Sequence, residues 1–122
     1  MDNTQFGSSR DELRTKTTVF SNDLFAGKTV IVTGAGGGLG LAIAALFARL
    51  GANLAINGRN EEKLESAAEY LRSFGGKVLA VPMSIRDNDQ VVAFIDQVSG
   101  EYGSIDVLVN NAGGQYPQAA LD

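Results

Sequence analysis

The chain has no cysteine, no histidine and no tryptophan among its 122 residues. Without a thiolate or an imidazole it can build no Cys- or His-based metal site, no thiol nucleophile and no His-centred triad. The missing cysteines also remove disulfides as a source of stability, which fits a reducing compartment. Positive charge is scarce as well: ten Lys and Arg stand against fourteen Asp and Glu, for a net charge of −4. No broad positive field is left to gather phosphate backbones, so neither nucleic acid nor an anionic membrane surface is expected as a partner. Residues 29–48 carry no charge, but glycines at 34, 36, 37, 38 and 40 interrupt the stretch. It reads as strand, turn and helix, and no membrane span is expected.

What is present is an ordinary globular composition, 44% hydrophobic and 20% charged. A core can be buried, and at this length one compact domain is the upper bound. Residues 1–24 form a polar leader of mixed charge with no apolar period, expected to be loosely ordered. Asp2, Asp11 and Glu12 beside Arg10, Arg14 and Lys16 do not suit a transit peptide, and no secretory hydrophobic region is present. The expected setting is intracellular, cytoplasmic first, with peroxisomal and mitochondrial locations left open.

From Lys28 onward, short apolar runs alternate with longer amphipathic segments. The runs occupy residues 29–33, 53–57, 77–81 and 106–110. They are apolar on both pleat faces, as in parallel strands covered by helices. Between them, Leu39, Ala42, Ile43, Leu46, Phe47 and Leu50 recur at helical spacing until Gly51. A second helix is expected from the N-cap Asn60 through Leu64, Ala67, Ala68, Leu71 and Phe74 to Gly75. A third is expected from the N-cap Asp87, with Val91, Phe94, Ile95, Val98 and Tyr102 on one face, ending at Gly103. This alternation predicts an α/β fold, a doubly wound parallel sheet of Rossmann type with four strands and three helices.

Directly after the first strand stands Thr33-Gly34-Ala35-Gly36-Gly37-Gly38-Leu39-Gly40, leading into the first helix. Glycines there permit positive φ and close backbone approach, and the helix N-terminus offers N–H groups to a pyrophosphate. The spacing of Gly34, Gly38 and Gly40, together with Asn110-Asn111-Ala112-Gly113 at the end of the fourth strand, resembles the short-chain dehydrogenase/reductase family. The resemblance covers residues 25–122, and it implies a nicotinamide dinucleotide site. The candidate cofactor-binding residues are Thr33, Gly34, Gly36, Gly37, Gly38, Leu39, Gly40, Arg59, Ser84, Ile85, Asn110, Ala112 and Gly113.

At the end of the second strand, NAD-preferring folds place an acid on the ribose hydroxyls. Here Gly58 occupies that place and Arg59 follows, so NADP(H) is expected over NAD(H), a guanidinium meeting the 2′-phosphate. The plainer reading of Arg59 is a solvated residue at a helix start. Where the family has an Asp near the adenine, this chain has Ser84 followed by Ile85, a departure that leaves one hydroxyl and a backbone group for that contact. Asp87 reads as a helix cap.

The family's proton relay is a Tyr-x-x-x-Lys pair, and none of Tyr70, Tyr102 or Tyr116 has a Lys four residues on. No catalytic residue is therefore assigned. The resemblance implies the cofactor-binding half of a truncated oxidoreductase, inactive alone, with a small-molecule substrate and a homo-oligomeric state only in a full-length form. Gly114-Gln115-Tyr116-Pro117 and Ser84-Ile85-Arg86 are similar to the enoyl-CoA and dienoyl-CoA reductase branch, which implies an acyl-CoA-like substrate; carbonyl/alcohol chemistry is the more general reading. A non-catalytic NADP(H)-binding module and an inactive fragment are the alternatives.

Overall fold

The computed structural model describes residues 7–113. Four strands, β1 (Thr29–Val32), β2 (Asn53–Gly58), β3 (Val78–Pro82) and β4 (Val107–Val109), form one sheet in the order β3-β2-β1-β4, with every pairing parallel. Four helices accompany them: α1 (Arg10–Thr15), α2 (Gly38–Arg49), α3 (Glu61–Arg72) and α4 (Asn88–Tyr102). The expected alternation is thus present, and the segment 29–48 is a strand, a turn and a helix. No helix among the described residues is long and apolar enough to cross a membrane.

Pleat alternation sorts the strand side chains into two cores. Val30, Val32, Leu54 and Ile56 face α2 and α3 and form the larger cluster with Ala44, Ala45, Leu64 and Leu71. Ile31 and Ala55 point the other way and pack with Met83, Phe94 and Val98 from the α4 side. Because β1 and β2 carry helices on both faces, they are buried throughout except at the ends of β2. The outer strands β3 and β4 are only partly covered.

Two expectations are corrected. Three helices were expected, and α1 is a fourth among the described residues, lying within the polar leader of 1–24. It is closed by a capping box: Ser9 Oγ accepts from the Glu12 N–H, and the Glu12 carboxylate accepts from the Ser9 N–H at 2.7 Å. Its last turn is tied down by Arg49, which donates to the Leu13 carbonyl at 3.0 Å. Tyr70 donates its hydroxyl to the Arg10 carbonyl, and Arg14 lies 4.2 Å over the Phe74 ring.

The second correction concerns the inward face of α2. The sequence period Leu39, Ala42, Ile43, Leu46 and Phe47 was expected to mark it, but the buried positions are Gly40, Leu41, Ala44, Ala45 and Ala48. Small residues let the helix axis approach the sheet closely. Ile43 and Phe47 pack at its flank, and Leu39 is 70% exposed.

Candidate functional site

The C-terminal ends of all four strands converge, and the glycine loop lies among them. Gly34 is held from two sides by asparagines of neighbouring strand ends. Its N–H donates to Asn57 Oδ1 at 3.1 Å, and its carbonyl accepts from Asn111 Nδ2 at 3.1 Å. The buried Asn57 adds a second link, its carbonyl accepting from the Ala35 N–H at 3.1 Å. Thr33 ties β1 to β4: its hydroxyl accepts from the N–H groups of Asn111 and Ala112 at 3.0 and 2.9 Å. The loop is therefore fixed at its root by side chains, while its tip at 37–39 stays exposed.

Two glycines in the loop require positive φ, Gly34 at +67° and Gly38 at +56°. Gly34 also lies against Ala112, whose Cα and Cβ would stand 3.0 Å from a side chain added there. Gly40 is excluded from bearing a side chain by contact alone. A Cβ there would sit 2.3 Å from the Gly34 carbonyl oxygen and 2.6 Å from Asn111 Nδ2. A Cβ added at Gly36 would stand 3.7 Å from Lys63 and Leu64, an ordinary contact at the start of α3.

Beside this loop opens a cavity of about 480 Å³, within the range of small-molecule sites. Of the sequence-predicted residues, Gly34, Arg59, Ser84, Ile85, Ala112 and Gly113 line it. Gly36, Gly37, Gly38, Leu39 and Gly40 form the adjoining loop and first turn of α2, and Thr33 lies beneath as the tie. Asn110 is exposed and stands outside the lining, while its neighbour Asn111 lines the cavity. Asn57, Met83 and Asn111 fall within the strand ends where the sequence places a ligand but were not assigned as contacts, and Arg86 was not assigned either; all four line the cavity. Asn57 and Asn111 could have been suspected, since a buried amide at a strand end needs partners and a glycine loop supplies them.

The charge distribution at the site is one-sided. Among the described lining residues the charged ones are Arg59 and Arg86, both cationic. Asp87 is occupied as the α4 cap, accepting from the N–H groups of Asp89 and Gln90. The caps of α1, α3 and α4 are side-chain oxygens of Ser9, Asn60 and Asp87; α2 begins at Gly37 with no side-chain cap and no acid in its first turn. Its free N–H groups and the positive end of its dipole suit an anion. A bare loop, an uncapped helix and arginines at the strand ends together fit a dinucleotide phosphate chain.

Neither described tyrosine belongs to this site. Tyr102 donates to the Leu54 carbonyl at 3.0 Å, and burial raises its phenol above the usual 10. Burial raises Tyr70 likewise, and it faces α1. Tyr116 and the rest of the segment 114–117 lie outside the described residues.

A parallel sheet with this strand order, a glycine turn after β1 and a cavity at the strand ends is a Rossmann-type arrangement. The sequence pattern of the family described as short chain dehydrogenase matches residues 28–122, and the chain belongs to that family of oxidoreductases. It is 48% identical over 87 residues to the short chain dehydrogenase/reductase dpchG of Colletotrichum higginsianum, an alignment covering 71% of this chain and 32% of that protein. With the peroxisomal 2,4-dienoyl-CoA reductase of Danio rerio it shares 35% identity over 108 residues, 87% of this chain and 36% of the other. The chain thus spans about a third of the length of these curated relatives.

Solved structures agree in fold. Xylitol dehydrogenase bound to NAD⁺ superposes with a TM-score of 0.73 at 38% identity, covering 75% of this chain and 35% of the other. L-Sorbose reductase from Gluconobacter frateurii, complexed with NADPH and L-sorbose, gives 0.75 at 35% identity, covering 81% and 38%. The neighbours therefore include both an NAD- and an NADP-type complex.

Proposed function

We propose that residues 25–122 are the dinucleotide-binding part of an NADP(H)-dependent oxidoreductase. The observation that carries this reading is the cavity at the end of β2, lined by Arg59 and, among the described residues, by no carboxylate. In this reading the loop 34–40 and the N-terminus of α2 hold the pyrophosphate, and Arg59 meets the 2′-phosphate. Ser84 and Ile85 flank the adenine, and Asn110, Ala112 and Gly113 lie along the nicotinamide side. The bound nicotinamide supplies or accepts a hydride; this chain's residues bind and orient it.

Catalysis belongs to a full-length form, since the chain's sequence holds no Tyr-x-x-x-Lys pair to lower a tyrosine pKa. An acyl-CoA-like substrate is supported by the similarity to a 2,4-dienoyl-CoA reductase. A second reading is a non-catalytic NADP(H)-binding module. Both readings require the cofactor site.

Titration of the chain with NADPH and NADH, followed by nicotinamide fluorescence, tests it. NADPH should bind about tenfold more tightly, the effect expected of about 1.4 kcal/mol from one charge-assisted contact. Arg59→Ala should bring NADPH down toward the NADH affinity, and Gly38→Asp should abolish binding of both. Equal affinity for the two cofactors would refute the NADP(H) assignment.

A further inference from the structure

A second cavity, of about 230 Å³, opens between α1 and α2 and shares no lining residue with the one at the strand ends. Ala42, Leu46 and Arg49 bring one stripe of α2 to it, at steps of four and three residues, off the stripe that faces the sheet. The other wall is the end of α1 and the turn after it, with Leu13, Lys16, Thr17 and Thr18. Leu13 packs on the larger core, and Arg49 joins the two walls by donating to the Leu13 carbonyl at 3.0 Å.

The lining divides into an apolar part and a cationic part. Leu13, Ala42 and Leu46 supply the first, Lys16 and Arg49 the second, and among the described residues no carboxylate lines the cavity. Both acids of α1, Asp11 and Glu12, stand in its first turn, and the Glu12 carboxylate accepts from the Ser9 N–H at 2.7 Å, whereas Lys16 lies at the other end of the helix. Lys16 Nζ reaches Ser8 Oγ only at 3.5 Å. Of the five N–H donors of a guanidinium, Arg49 gives one to Leu13.

We propose that this cavity is a binding site for a small organic monocarboxylate. Its apolar body, an aromatic ring or a short acyl chain, lies on Leu13, Ala42 and Leu46, and its carboxylate meets Lys16 and Arg49. A guanidinium and an ammonium both form charge-assisted hydrogen bonds with a carboxylate, and the two threonine hydroxyls add donors. The volume is below the range of about 300–1,000 Å³ for drug-sized ligands, so the body is small. An inorganic anion would use only the cations, and an uncharged ring only the apolar part. This site does not depend on the dinucleotide reading.

The test is titration of the ¹⁵N-labelled 122-residue chain with benzoate, followed by backbone amide shifts. Benzyl alcohol, which keeps the ring without the charge, and acetate, which keeps the charge without the ring, are titrated beside it. The expected result is saturable benzoate shifts at Leu13, Thr17, Ala42, Leu46 and Arg49, with each of the other two probes about tenfold weaker or more. Lys16→Ala, at an exposed position, should weaken benzoate about fivefold, and Ala42→Leu, which fills the cavity and removes no charge, should abolish saturation. Thermal melts establish that both variants fold, and the Lys16→Ala result decides alone if Ala42→Leu does not. Benzyl alcohol or acetate binding as tightly as benzoate would overturn the proposal. So would unchanged affinity in folded Lys16→Ala, or benzoate shifts confined to Gly34, Arg59 and Ser84. None of these outcomes alters NADPH binding, which is read at the strand-end amides.

Discussion

At Gly40 a single hydrogen decides whether the loop can exist. The Gly34 carbonyl lies 2.3 Å from where a Cβ would stand, and that carbonyl is already engaged by Asn111. Backbone cannot yield as a flexible side chain can, so Gly40→Ala should destabilise the fold by about 1–3 kcal/mol, the usual range for overpacking. Asn57→Ala acts oppositely, by subtraction. It removes an amide that is 2% exposed and leaves the part-buried Gly34 N–H without its partner, for a loss of about 1–3 kcal/mol. Urea denaturation of both variants checks this; wild-type midpoints would contradict the geometry of the loop root. The positions of Gly34 and Gly38 were legible in the sequence because a turn of positive φ selects glycine. The roles of Asn57 and Asn111 were not, because an asparagine at a strand end signals nothing until the loop it holds is placed beside it.

Among the elements, the strands were the most legible and α1 the least. Four apolar runs bounded by polar residues leave little freedom in where a parallel strand begins. The periodicity of α3 and α4 survived because their outer faces are charged. In α2 apolar residues surround the helix, so pattern alone could not say that the alanine face, and not the larger side chains, lies on the sheet. A six-residue helix such as α1 has no period to read, and its docking depends on distant side chains. Arg10 and Arg14 lie 5.1 and 5.5 Å from the Tyr70 ring, and Tyr70 stacks edge-on against Phe74.

The capping box makes this element pH-sensitive. Hydrogen bonds from the Ser9 N–H first, and then from its hydroxyl, hold Glu12 below the ordinary glutamate value of 4.5. A lowered folded-state pKa contributes stability that is full above 4.5 and is lost as pH falls through the lower folded value. The protection of the α1 amides, corrected for the intrinsic exchange rate at each pH, should therefore be constant from neutral pH down to about 4.5 and fall below it, and Glu12→Gln should flatten that acid limb. A transition in wild type centred above 4.5 would contradict the capping box.

For the molecule as a whole, the sheet order sets both the site and its asymmetry. α2 and α3 cover one face and α4 the other, so β1 and β2 are buried while β4 stands at an edge with Leu108 52% exposed. An apolar edge strand of this kind invites further pairing. The order β3-β2-β1-β4 also places the chain's crossover beside β1, where the tied ends of β1 and β4 adjoin the glycine loop. Fold class and loop were readable in advance. The cavity's second arginine was not, since only the sheet brings the turns after β2 and β3 together.

The central claim is that this loop and these strand ends form one dinucleotide site. It is tested most directly by adding NADPH to the ¹⁵N-labelled chain and mapping which backbone amides shift. The account predicts the largest changes at Gly34 and across 36–40, with further changes at Arg59, Ser84, Ile85, Ala112 and Gly113, and none in α1. Shifts confined to α1 and the adjoining faces of α2 and α3, or no shifts with a folded chain and saturating cofactor, would contradict it.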